Sequence, residues 1–165
     1  MNRFFKTILL TGLFVGTTDL ISAYVTQYIK TGQFAGKMLH FIAGGALGLE
    51  SSMKGGNAVA FLGLFFHYFI AFAFTLFFFW IFPKFKLLWF NKFLIGMLYA
   101  IFVALTMDFI IRLFTSLPWG EFNLSNSLIG WYTLGVILGI PISYSAYQYY
   151  GVDSEKNEVS KTSPH

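Results

Sequence analysis

The sequence predicts an all-α membrane protein with four transmembrane helices and one short helix between the first two. Three observations predict this fold. Of the 165 residues, 56% are hydrophobic and only 11% are charged, whereas soluble domains carry about 25% charged residues. Four apolar segments reach the ~20 residues needed to cross the hydrocarbon core of a bilayer. None of the four segments shows the period-2 alternation of outer-membrane strands.

The four predicted spans are long apolar runs. They cover residues 4–28, 57–82, 93–117 and 128–150. The first run resembles a signal peptide in its basic start and in the sequence Ile21-Ser22-Ala23. We favour a retained helix, because the run continues past Ala23 to Tyr28 and is interrupted by Asp19.

The segment between the first two spans predicts a shorter helix. Residues 34–49 read FAGKMLHFIAGGALGL, which places most of the large apolar residues near one helical face. The segment is too short and too polar to span, so it suits either an interfacial helix or a shallow re-entrant helix. The Gly44-Gly45 pair is expected to bend or loosen this helix, and residues 51–56 are expected to form a turn.

Length and charge indicate one helical bundle over residues 1–151 and a mobile polar tail over residues 152–165. The net charge of +4 comes from lysines and arginines at segment ends, a pattern typical of membrane topology and not of nucleic-acid binding. Seven of them fall on the side of the N-terminus and four on the other side. This distribution predicts that both termini lie in the cytoplasm. The absence of cysteine excludes disulfides and thiolate chemistry.

Three ionisable residues lie inside the predicted spans: Asp19, His67 and Asp108. Charged groups in hydrocarbon are costly, so they usually face the bundle interior or a water-filled cavity. At ~1.5 Å per residue, all three fall in one layer about 3–6 Å to the outer side of the midplane. The same layer of the fourth span contains Tyr132 and Thr133. We expect the three ionisable side chains to converge.

Small residues and one proline are expected to set how the helices pack. Small residues share helical stripes with the ionisable residues and let membrane helices approach closely. The glycines of these stripes are Gly12, Gly16, Gly63, Gly96, Gly135 and Gly139. Pro141 inside the fourth span removes one helical hydrogen bond and predicts a kink. Ser143 or Tyr144 is a candidate to satisfy the freed backbone groups.

Two uses of the polar layer are open. Asp19, His67 and Asp108 either form a neutralised hydrogen-bonded network that locks helix packing, or carry protons or a small solute. Arg112 either pairs with Asp108 one turn earlier or extends to the outer interface.

No catalytic residue, metal site or cofactor is predicted. Imidazole and carboxylate groups suit zinc, but His40, His67 and Asp19 lack a short ligand spacing. A haem held by His40 and His67 has no better support. The pair Ser51-Ser52 has no general base at a spacing that would indicate a catalytic serine, so it is interpreted as a loop.

The second span is rich in phenylalanine, and its run FHYFIAFAFTLFFFWIF is interpreted as lipid-facing. The run GLFFHYFIAFAFTLFFFWIFPK resembles the corresponding part of uncharacterised bacterial inner-membrane proteins of the YagU type, through His67 and Phe82-Pro83-Lys84. The earlier FIAGGALG and the Gly-Gly turn that follows it resemble short four-span membrane proteins of the Bacteroidetes. The resemblance implies a multi-pass inner-membrane protein and transfers no activity or catalytic residue.

The predicted function is a small multi-pass membrane protein with a structural or accessory role. The alternative is a proton-coupled or small-solute permeation unit, and an enzyme is the least favoured class. The expected partners are the lipid bilayer and either further copies of the chain or another membrane protein.

Overall fold

The computed structural model describes residues 3–84, 91–111 and 124–151, and every regular element within these ranges is helical. The first half contains α1 (Arg3–Thr31), α2 (Met38–Leu47), α3 (Leu49–Met53) and α4 (Asn57–Ile81). The second half contains α5 (Lys92–Leu105), α6 (Leu124–Leu134) and α7 (Ile140–Tyr150). Two π-helical segments extend these helices: Thr106–Ile111 follows α5, and Gly135–Gly139 joins α6 to α7.

The predicted all-helical class is confirmed for the described residues. Three helices are long and apolar enough to cross a membrane, namely Arg3–Thr31, Asn57–Ile81 and Ile129–Tyr150. The third predicted span is helical over Lys92–Leu105 and Thr106–Ile111. Its last residues, including Arg112, lie outside the described part of the chain, as does the predicted tail.

Helix ends follow from local chemistry. The side chain of Asn91 accepts a hydrogen bond of 2.8 Å from the Phe93 backbone N–H and caps α5. Gly48 separates α2 from α3 with φ of +83°, a conformation that glycine adopts without steric cost. Gly44 and Gly45, where a bend or a loosening is predicted, both lie inside α2.

The turn predicted over residues 51–56 is partly wrong, because α3 continues to Met53. Here α2 and α3 lie against each other. A Cβ added to Gly44 would lie 2.9 Å from Ser52 Oγ and 3.3 Å from Leu49 Cα. Gly44 therefore permits close contact between the two short helices, and Gly48 makes the reversal between them.

The long helices form an antiparallel arrangement. α1 packs along α4 and α7. α5 packs along α7 and along the π-helical segment Gly135–Gly139 that precedes α7, and α2 packs on α4. The Phe4 ring lies 6.2 Å from the Phe79 ring and 5.6 Å from the Tyr149 ring, between centroids. The start of α1, the end of α4 and the end of α7 therefore share one end of the bundle.

The six glycines of the predicted stripes lie where two elements meet. Gly96 of α5 and Gly139 approach each other through their backbones, so that a Cβ added to Gly96 would lie 2.7 Å from the Gly139 carbonyl oxygen. Gly63 approaches the backbone carbonyl of Leu39 in α2. The remaining three contact side chains: Gly12 lies against Phe72, Gly16 against Tyr68, and Gly135 against Met97.

The chain changes helical type just before Pro141. Pro141 is the second residue of α7, and the π-helical segment Gly135–Gly139 ends two residues earlier. A proline in this position leaves the carbonyl of Ile137 without its usual helical donor. Ser143 does not serve that carbonyl. Its hydroxyl donates a 2.8 Å hydrogen bond to the Lys92 carbonyl and joins α7 to α5.

Aromatic side chains fill the end of the bundle where α1, α4 and α7 meet. Phe78, Phe79 and Phe82 are at most 1% exposed, so their interpretation as lipid-facing is wrong. They are buried because the last turns of α4 are enclosed by α1, α5 and α7, with the Phe82 ring packing on Tyr147 at 4.9 Å. The interpretation fits the start of α4, where Phe61 is 71% exposed.

Candidate functional site

His67 links α4 to α1 through a hydrogen bond. Its ring Nε2 lies 2.7 Å from the backbone carbonyl oxygen of Gly16. A carbonyl only accepts, so Nε2 carries the proton and donates. One residue further along each helix, the hydroxyls of Thr17 and Tyr68 form a second hydrogen bond of 2.8 Å. Two hydrogen bonds therefore join these helices within one turn.

The close approach of the two helices depends on Gly16. A Cβ at Gly16 would lie 2.9 Å from the Tyr68 ring and 3.3 Å from the Ala71 Cβ. A larger residue would push α4 away and lengthen the hydrogen bond from His67. The small-residue stripe and the polar residues thus act together, because the first allows the second to reach a backbone carbonyl.

Asp19 and His67, both half-buried, lie on the wall of a partly open cavity of about 320 Å³. The cavity is bounded by α1, α2, α4 and α5, by the π-helical segment after α5, and by the end of α6 with the π-helical segment Gly135–Gly139. Its other lining side chains are apolar, for example Ile42 of α2, Phe74 of α4 and Val103 of α5. The site is therefore an apolar chamber with one carboxylate and one imidazole.

No hydrogen bond to the Asp19 side chain is found among the described residues. His67 is its titratable neighbour, but in the described ranges the two side chains do not form a direct ion pair. A ligand in the cavity can therefore bind the Asp19 carboxyl group directly.

Asp108 lies apart from this cavity. It belongs to the π-helical segment Thr106–Ile111, its side chain is exposed, and its neighbour Met107 lines the cavity. The physical reason is the change of helical period. The i+4 spacing places Ala100 and Ala104 in the interior, where both are buried. Hydrogen bonds of i→i+5 type then rotate the following residues off that stripe.

Tyr132 and Thr133 do not contribute polar groups to the cavity. The Tyr132 side chain is 65% exposed. The Thr133 hydroxyl donates 2.8 Å to the carbonyl of Ile129 in its own helix. In this part of the bundle the cavity wall is formed by Leu134 and Leu138.

Two tyrosine hydroxyl groups that donate hydrogen bonds between helices were not predicted from the sequence. The Tyr99 hydroxyl donates 2.6 Å to the Phe74 carbonyl and links α5 to α4. The Tyr150 hydroxyl donates 2.8 Å to the Phe79 carbonyl and links α7 to α4. A hydroxyl-bearing aromatic inside an otherwise apolar segment is the signal that identifies such residues, since a buried Tyr hydroxyl usually has a partner.

His40 lies on α2 at a separate position, where its side chain faces the loop before α4. It is 8% exposed, and its Nε2 lies 3.2 Å from the Gly55 carbonyl oxygen. Its Nδ1 has no partner within the described residues. His40 does not line the cavity that contains His67, so the two histidines do not form one site.

Comparisons with known proteins found no counterpart. No protein-family model matches the chain, and neither the curated proteins nor the solved structures include a significant match.

Proposed function

We propose that this chain is a four-span protein of the bacterial cytoplasmic membrane with a structural or accessory role. Its polar side chains would serve to fix the packing of the spans. The observation that carries the proposal is the hydrogen bond from His67 to the Gly16 carbonyl. Here an ionisable side chain in one membrane span donates a hydrogen bond to the backbone of a neighbouring helix. The suggested relation to YagU-type membrane proteins belongs to the same proposal.

The count of four spans is supported by the position of the helix ends. The contacts of Phe4 with Phe79 and Tyr149 bring the start of α1 and the end of α7 to one end of the bundle. Ends on the same side require an even number of crossings. The 14 residues of α5 and the six π-helical residues after it would supply the fourth crossing.

Orientation and the role of α2 complete the proposal. The excess of lysine and arginine at the end that carries both termini favours a cytoplasmic location of that end. α2 lies against α4 at Gly63 and contributes Met38 and Ile42 to the cavity. This supports a shallow re-entrant helix that covers the outer end of the bundle, in preference to a helix lying flat on the lipid.

The structural role is tested by replacing His67 with phenylalanine. This change keeps an aromatic ring but removes the donor to Gly16. Interhelical hydrogen bonds in membranes contribute about 0.6–2 kcal/mol, so the free energy of unfolding in detergent should fall by that amount. Tyr132→Phe is the matched control, because its side chain is exposed. Equal stability of H67F and Y132F would reject the structural role.

Small-solute or proton permeation is the second candidate, favoured by the partly open cavity, on whose wall the Asp19 carboxyl group has no hydrogen-bond partner among the described residues. Proton and solute flux into liposomes should then fall in Asp19→Asn while the fold is retained. If Asp19→Asn leaves flux at the level of the unchanged protein, or neither protein exceeds empty liposomes, permeation is rejected and the structural role stands.

A further inference from the structure

The partly open cavity lined by Asp19 and His67 has the size of a small-molecule site. Its volume of about 320 Å³ far exceeds the ~30 Å³ that one water occupies in the liquid. It lies at the lower limit of the ~300–1,000 Å³ typical of ligand pockets. A single water or metal ion would leave most of this space empty, so an occupant with an organic body fits better.

The wall of the cavity selects an apolar body. Val15, Phe74, Val103 and Leu138 come from different parts of the bundle and line it together. No lysine or arginine is found among the lining residues of the described chain. An anionic ligand would therefore meet no positive side chain except a protonated His67, and would be repelled by Asp19.

The polar groups on the cavity wall, Asp19 and His67, offer a ligand hydrogen-bond acceptors. Asp19 lacks a donor among the described residues, and an ionised carboxylate only accepts hydrogen bonds. The Nε2 proton of His67 is already donated to Gly16. In the neutral ring, Nδ1 is an acceptor as well. The ligand must supply the N–H or O–H groups, and a positive charge would in addition neutralise Asp19 inside the membrane.

We propose that this cavity binds a small amphipathic amine, with its protonated nitrogen on Asp19 and its apolar body among Val15, Phe74, Val103 and Leu138. This inference rests on the permeation proposal in one respect only: both use the same cavity. It adds the class of ligand that the cavity binds. Binding does not require passage across the membrane.

The test compares two probes of nearly equal shape, phenethylamine and 2-phenylethanol, on the protein in lipid nanodiscs. Only the amine is cationic at pH 7, since alkylamines resemble lysine in their protonation. We expect the full chain to bind the amine at least about tenfold more tightly than the alcohol, as for charge-assisted hydrogen bonds. In Asp19→Asn the two probes should bind equally.

Two further variants locate the site. Ile42→Trp places a larger side chain on the cavity wall and should weaken both probes, even if Asp19→Asn does not fold. Phe69→Trp is its matched control, since Phe69 is 61% exposed and does not line the cavity. Equal affinity of the intact chain for amine and alcohol, no binding of the amine, a preference that survives Asp19→Asn, or unchanged binding in Ile42→Trp would each overturn the proposal. Uptake of phenethylamine into proteoliposomes, measured separately, decides on permeation alone.

Discussion

Replacing Gly139 with alanine tests the closest backbone contact between the long helices. A Cβ at Gly139 would overlap the carbonyl oxygen of Gly96 and would lie 3.0 Å from the Ala100 Cβ. The overlapping atom belongs to the backbone, so a side-chain rotation cannot relieve it. α5 and the last helix must separate, which also lengthens the hydrogen bond from Ser143 to Lys92.

The expected magnitude follows from two opposing effects. Overpacking costs about 1–3 kcal/mol, while alanine in place of glycine gains up to about 1 kcal/mol in helix propensity. Gly130→Ala isolates the second effect, because a Cβ at Gly130 meets nothing within 4 Å. The difference in free energy of unfolding between G139A and G130A should therefore be about 1–3 kcal/mol, with G139A the less stable.

The assay is equilibrium unfolding of both variants and the unchanged chain, in mixed micelles titrated with a denaturing detergent and followed by tryptophan fluorescence. If G139A is as stable as G130A, the helices do not approach as closely at this crossing as described, and the packing argument fails.

Two other hydrogen bonds give measurable predictions. Thr17→Val and Tyr68→Phe should show a coupling energy of about 0.6–1.7 kcal/mol in a double-mutant cycle, and strictly additive effects would contradict a direct bond between their hydroxyls. Ser143→Ala should lower the free energy of unfolding by about 1 kcal/mol, because it removes the donor from α7 to α5, whereas Ser145→Ala should change it less. Comparable losses in the two serine variants would show that the bond to α5 is not the cause.

The helical class could be predicted from composition, because apolar runs of this length have few alternatives in lipid. The positions of Asp19 and His67 on one cavity could be predicted as well, since both lie in regular α-helix where an i+4 stripe defines a face. The exposed position of Asp108 could not, because the π-helical segment Thr106–Ile111 changes the period. Nothing in local sequence marks that change.

The burial of phenylalanine illustrates a second limit. Phe65 and Phe79 have the same chemistry and lie in the same helix, but one is 61% exposed and the other fully buried. In a membrane protein both lipid and interior are apolar, so hydrophobicity does not tell them apart. The difference arises from Phe4 and Tyr149, which cover Phe79 from other helices.

The central claim is that His67 acts as a hydrogen-bond donor that joins α4 to α1. It is tested most directly by nitrogen-15 NMR of the histidine side chains in lipid nanodiscs at neutral pH, with the His67 signals assigned by their loss in His67→Phe. We predict a neutral ring protonated at Nε2, with the proton shifted by its bond to the Gly16 carbonyl. A ring protonated at Nδ1, or one that exchanges freely between the two forms, would contradict it.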